Sequence, residues 1–174
     1  PEPGLLDRVR MAALVSLGKS QEALQPLQNA VKLQPNFPKA HYNLAIAYRN
    51  LNRWAEALNH YRATVQLDPN WPDPMNELAL LLATHPDDAI RNGQEAVALA
   101  ERANQLVNLT RVDCLMTLAA AYAEVGRFND ALAAGERARQ MAQSVNRPDV
   151  VAVIDRQLEH YRAGKPLRSD VPWN

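Results

Sequence analysis

The stretch from Pro38 to Trp71, PKAHYNLAIAYRNLNRWAEALNHYRATVQLDPNW, decides the fold. Its apolar and small residues fall at Leu44, Ala45, Tyr48 and Leu51, three and four apart, which is one face of a helix. Asn52-Arg53 makes a turn. A second face follows at Ala57, Leu58, Tyr61, Val65 and Leu67, and Asp68-Pro69-Asn70 ends it because proline cannot continue a helix. Ala45 and Ala57 mark where the two helix axes come close, since a larger side chain would force them apart. Working outward, Ala23 and Ala57, Leu33 and Leu67, Pro35 and Pro69, and Asn36 and Asn70 each lie 34 residues apart. A period of 34 carrying helical patterning signifies helix–turn–helix units stacked into a solenoid.

At Tyr42-Asn43-Leu44-Ala45, Tyr48, Ala57, Tyr61 and Leu67-Asp68-Pro69 the stretch resembles the tetratricopeptide repeat. The resemblance implies an all-α, right-handed superhelical solenoid that holds another molecule rather than transforming one. The sequence departs from the family pattern at His41, usually tryptophan, at Ala45, usually glycine, and at Thr64, usually alanine.

Four repeats are expected, near residues 4–37, 38–71, 72–108 and 112–145. The first has a degraded opening, with Asp7 and Arg10 where apolar residues belong, and Pro26 inside its second helix predicts a bend. The third opens on Pro72-Asp73-Pro74 and carries a longer turn from His85 to Arg91, an insertion of five residues when Ala96 is put in register. The fourth matches closely through Leu115, Leu118, Ala119, Tyr122, Gly126, Phe128, Ala131 and Ala138. An amphipathic helix over 148–163, with a stripe of Val150, Val151, Ile154, Leu158 and Tyr161, is expected to cap the last apolar face. Residues 164–174 read as an extended tail, draped through Leu167 and Trp173. The second half, from Leu81-Leu82-Ala83-Thr84-His85-Pro86 through Tyr161-Arg162-Ala163-Gly164-Lys165-Pro166, also resembles the segments that close larger bacterial tetratricopeptide proteins, some of them membrane glycosyltransferase-like.

Composition excludes several classes. Lys plus Arg number 19 and Asp plus Glu number 19, so bulk charge drives binding neither to duplex DNA nor to an anionic membrane. No run of about 18 apolar residues is present to span a bilayer, and no signal peptide is visible. The start at Pro1, without methionine, reads as a fragment, and its compartment, cytoplasm or periplasm, stays open. Cys114, the one cysteine, cannot form an internal disulfide and falls on an apolar helical face as a small buried hydrophobe.

Catalytic motifs are missing: no G-x-S-x-G, Walker loop or Rossmann glycine triad occurs. His41, His60, His85 and His160 are scattered without metal-ligand spacing and read as packing or surface residues. Asp87-Asp88 precedes a helix, where acids favour the positive helix end. Asn108-Leu109-Thr110 fits a glycosylation sequon, but reads as a helix terminus. No catalytic residue, cofactor or metal is expected.

The remaining place for function is the concave groove, which the family lines with the first helix of each repeat. The resemblance assigns to it Arg8, Val9 and Ala12 in the first repeat and Lys39, Tyr42, Asn43, Ile46, Arg49 and Asn50 in the second. It assigns Asp73, Asn76, Glu77 and Leu80 in the third, and Asp113, Met116, Thr117 and Glu124 in the fourth. An asparagine amide donates to and accepts from a peptide backbone at once. Arg8, Lys39 and Arg49 would make one end basic; Asp73, Glu77, Asp113 and Glu124 would make the other acidic. Chaperone-tail binding through a carboxylate clamp is rejected, because Asp73 and Glu77 stand where the clamp needs basic residues. The expected role is a non-catalytic protein-interaction module for an extended peptide or partner helix. The alternative is a docking or oligomerisation domain of a larger bacterial enzyme or membrane protein, with self-association as a variant of either.

Overall fold

The computed structural model describes residues 18–168. Arg8, Val9, Ala12 and the other readings made on residues 1–17, with Trp173, lie outside the described residues. Among the described residues there are eight helices and no strand: α1 Ser20–Leu33, α2 Pro38–Asn50, α3 Trp54–Leu67, α4 Pro72–Thr84, α5 Gly93–Leu106, α6 Val112–Glu124, α7 Phe128–Ser144 and α8 Pro148–Arg162. The architecture is an all-α helical repeat. It divides into two compact units, one ending at Asn70 and the other beginning at Trp71.

The first unit holds α1 to α3, with α2 packed on both neighbours. Ala23, Leu27 and Ala30 of α1, Leu44, Ala45 and Ala47 of α2, and Ala57 and Tyr61 of α3 make its core. Ala45 and Ala57 expose nothing, in keeping with a close approach of α2 and α3 at these two small residues. Pro26 lies on the exposed side of α1, and the helix runs through it unbroken. Pro38, Pro72 and Pro148 open α2, α4 and α8, where a missing N–H costs nothing because the first helical donors have no partner in the helix.

The C-termini of α2 and α6 share one closure. Asn52 adopts φ 57°. Its N–H donates to the Arg49 carbonyl at 2.9 Å, while that of Arg53 reaches back to Tyr48 at 2.9 Å. This Schellman arrangement satisfies carbonyls that a helix end leaves open. Gly126, at φ 77°, does the same for α6, with Arg127 N–H donating to Tyr122 O at 2.8 Å. In both turns the arginine then lies over the tyrosine ring, 4.6 Å from the Tyr48 centroid and 4.2 Å from that of Tyr122.

In the second unit α4 packs on α5 and α6, α6 on α5 and α7, and α7 on α8. Its core includes Leu78, Ala79, Leu82, Ala96, Ala100, Leu115, Ala119, Ala131, Ala138, Ile154, Leu158 and Tyr161. Asn104 ties α5 to α6: its amide N–H groups donate to Ala100 O at 2.9 Å and Cys114 O at 2.8 Å. Cys114 is buried, and desolvation pushes its thiol up to about 11, away from the reactive thiolate. Asn108, exposed at φ 51°, terminates α5. No described helix is long and apolar enough to cross a membrane.

The long turn between α4 and α5 is folded. Asn92 N–H donates to Leu82 O at 3.0 Å, and Asp87 N–H donates to His85 Nδ1 at 3.0 Å. Asn92 caps α5 by accepting from Glu95 N–H at 3.1 Å and donating to the Glu95 carboxylate at 3.2 Å. His85 is buried, and its desolvation holds the imidazole below its ordinary value of 6.5. The sign of the pH effect follows. In the unfolded chain this histidine takes up a proton near pH 6.5, whereas in the fold it stays neutral until lower pH. Stability contributed by neutral His85 is therefore complete above that pH and is lost as pH falls toward the depressed folded value. Urea midpoints at pH 7 and pH 5 should fall further for the parent than for His85→Gln; equal falls would contradict this.

Candidate functional site

In the first unit the outward face of α2 carries Lys39, Tyr42, Asn43, Ile46 and Arg49, spaced three and four apart so that they form one stripe. Lys39 is exposed and the other four are half-buried. Tyr42 is held edge-on against Tyr61, with ring centroids 6.1 Å apart at 61°. The Asn43 amide makes no hydrogen bond to the described residues, while Arg49 has its Nε buried. No Asp or Glu occurs in α2, so its formally charged side chains, Lys39 and Arg49, are both basic. Asn50, at the end of the same helix, is exposed, and its Nδ2 donates to Ser20 Oγ at 3.1 Å, tying α2 to α1.

In the second unit Asn76 and Glu77 sit on α4. Asn76 is buried, and its Oδ1 has no hydrogen-bond partner among the described residues; Glu77 is half-buried. The acids expected to make a negative groove end are largely engaged in ion pairs. Arg111 donates to Asp73 and, through Nε at 3.1 Å, to Asp113. Burial alone would raise the Asp113 carboxyl, but Arg111 outweighs it and holds it below the usual range. Glu124 accepts from Arg91 Nε at 2.9 Å and from Arg168 at 2.6 Å. The sequence reading missed Arg91, Arg111 and Arg168. Spacing offered little signal, because Arg91 and Arg168 reach Glu124 across 33 and 44 residues.

Two of the scattered histidines meet. His41 of α2 and His60 of α3 face each other with Nδ1 atoms 3.0 Å apart. His41 Nε2 lies 3.0 Å from Pro35 O, and a carbonyl only accepts, so His41 carries its proton on Nε2 and offers a bare Nδ1. His60 then donates from Nδ1. The His60 ring stacks on Tyr48 at 5.5 Å and 12°. Desolvation, together with the neighbouring His41, lowers His60 to about 4. Among the described residues no three His, Cys, Asp or Glu side chains converge as a metal cluster.

Comparison with known proteins places the repeats. Models described as TPR repeat and tetratricopeptide repeat match residues 12–52, 38–71 and 111–149. No curated protein sequence matches the chain. Among solved structures, MamA from Desulfovibrio magneticus RS-1 is 17% identical, with a TM-score of 0.66 over 91% of this chain and 94% of that one. PilF of Pseudomonas aeruginosa is 18% identical, with a TM-score of 0.70 over 91% of this chain and 72% of its own. TTC0263, a thermophilic TPR protein of Thermus thermophilus, is 18% identical, with a TM-score of 0.58 over 90% of this chain and 98% of that one. At these identities the likeness is one of fold, and all three sources are bacterial. With three repeat models matched and the helical repeat shared with these neighbours, the chain belongs to the tetratricopeptide-repeat family.

Proposed function

We propose that the chain is a non-catalytic protein-interaction module that takes an extended peptide or a partner helix on the first-helix faces of its repeats. The family as a whole is one of protein-interaction scaffolds. The observation that carries the finer reading is the α2 stripe, in which Tyr42 and Ile46 offer apolar contact and Asn43 an amide with both donor and acceptor. With Lys39 exposed on that face and no acid on the helix, the complementary partner segment carries acidic residues. Asn76 and Glu77 are assigned a second contact region within the other unit.

The test is a native-lysate pulldown beside a Lys39→Glu/Asn43→Ala variant, both eluates read by mass spectrometry. Lys39 is chosen over Arg49 because Arg49 Nε is buried, so reversing its charge would disturb the fold itself. A protein retained by the parent and at least tenfold depleted from the variant supports the stripe. Identical eluates overturn it and favour the second reading, a docking or oligomerisation domain of a larger bacterial enzyme or membrane protein, such as a glycosyltransferase-like one. The observation favouring that reading is two exposed apolar side chains in the last helix pair, Val145 at the end of α7, 62% exposed, and Val153 on α8, 37% exposed.

A further inference from the structure

We propose that His41 and His60 form a two-imidazole chelating site for a divalent transition-metal ion, clipping α2 to α3 within the second repeat. The argument starts with the separation. A Zn–N bond is about 2.0–2.1 Å, so two nitrogens on one tetrahedral ion lie about 3.3 Å apart. The Nδ1 atoms of His41 and His60 lie 3.0 Å apart, within a few tenths of an ångström of that bite.

The surroundings of His41 are those of a ligating histidine. A ligating imidazole commonly donates its other N–H to a carbonyl or carboxylate, which fixes tautomer and ring orientation. His41 already does so, through Nε2 to Pro35 O at 3.0 Å. The His60 ring is oriented by Tyr48, whose hydroxyl accepts from Gln28 Nε2 at 2.9 Å and whose face stacks on the imidazole at 5.5 Å. Metal ligation needs neutral imidazole, and His60 is kept neutral by its burial. Glu56 stands one helical turn before His60, bonded to Arg53 at 2.9 Å. It adds negative potential near the site without converging on it.

The exchange balances. Before binding, the His60 Nδ1 proton lies between the rings. On binding, His60 moves to its Nε2–H tautomer, both Nδ1 lone pairs go to the metal, and no net proton is released. The lone pairs now face one another, so each ring must turn about its soft terminal torsion for them to converge. With two protein ligands and water completing the sphere, the ion is exchangeable; structural zinc sites use four protein ligands. Imidazole donors select Zn, Ni or Cu over Mg or Ca.

The experiment is calorimetric titration of the chain with zinc chloride, beside His41→Gln and His60→Gln, with helicity of all three verified by circular dichroism. Copper(II) electron paramagnetic resonance counts coordinated nitrogens. The expected result is one zinc per chain, a rise in the parent's thermal midpoint with zinc and none with magnesium, and at least tenfold weaker binding in each variant. The copper spectrum should show two equivalent imidazole nitrogens. His85 and His160 remain in every variant, so binding that survives in His60→Gln, or a spectrum with one nitrogen, overturns the proposal. So does the absence of saturable binding in the parent.

Discussion

Arg91→Met should destabilise the protein by about 2–3 kcal/mol, although the sequence shows this residue as one charge in a turn. The side chains of Arg91 and Glu124 are each 12% exposed, and Arg91 Nε donates to Glu124 at 2.9 Å. The same guanidinium donates to His85 O at 2.7 Å and Pro86 O at 2.9 Å, and pairs with Asp88. Methionine keeps much of the aliphatic stem but removes every donor. Breaking a buried ion pair from one side typically costs about 3–5 kcal/mol, because the remaining charge is stranded. Here Arg168 still holds Glu124, at 2.6 Å, so the loss is placed below that range. Urea denaturation checks it, and a change under about 0.5 kcal/mol, the range of an ordinary surface substitution, would refute it. Arg91→Met/Glu124→Leu should lose less than the sum of the two single changes, since neither member of the buried pair is left facing the gap of the other. Limited proteolysis should also find the 85–92 turn first in Arg91→Met, because Arg91 fastens it to the end of α6.

Gly135→Val should cost about 2–3 kcal/mol, by overpacking rather than by loss of a contact. Gly135 lies in mid-helix, where glycine is normally unfavourable by about 1 kcal/mol relative to alanine. Its place is explained by α8. A Cβ there would lie 2.6 Å from Leu158 Cδ2 and 3.5 Å from its Cγ, and Leu158 is fully buried. Alanine regains helix propensity while forcing Leu158 to shift, so Gly135→Ala should fall within about 1 kcal/mol of the parent. Valine adds two methyl groups beyond that Cβ and demands a larger displacement of the buried Leu158. Leu158→Ala alone should destabilise by about 2–5 kcal/mol through the cavity it opens. Combined with Gly135→Val it should lose less than the two separately, a coupling read from a double-mutant cycle. Simple additivity would show that the α7–α8 approach is not what excludes a side chain at residue 135.

The repeats were legible because their causes are local. The apolar spacing of Leu44, Ala45 and Tyr48, the prolines that open helices and the αL residue at Asn52 all act within one turn or one helix pair. Placement of charge was not legible in the same way. Asp73, Asp113 and Glu124 read as an acidic surface, yet each meets an arginine: Asp73 and Glu124 meet one that only the packing of the second unit brings near, and Asp113 meets Arg111 two residues before it. The His41–His60 meeting was hidden for a related reason: it joins two helices across 19 residues, a separation that matches no metal-ligand spacing.

The helix ends at Asn52 and Gly126 have a consequence for how the chain is made. Each turn is closed by backbone bonds between residues three to five apart, so the reversal of direction is encoded where it occurs. Within each unit, substantial packing joins helices only one or two places apart along the chain. Sequence neighbours are thus spatial neighbours, contact order is low, and little loop-closure entropy opposes pairing. During synthesis each helix can meet its partner as soon as the next one has left the ribosome, so apolar faces such as those of α2 and α6 wait only briefly in water before they are covered.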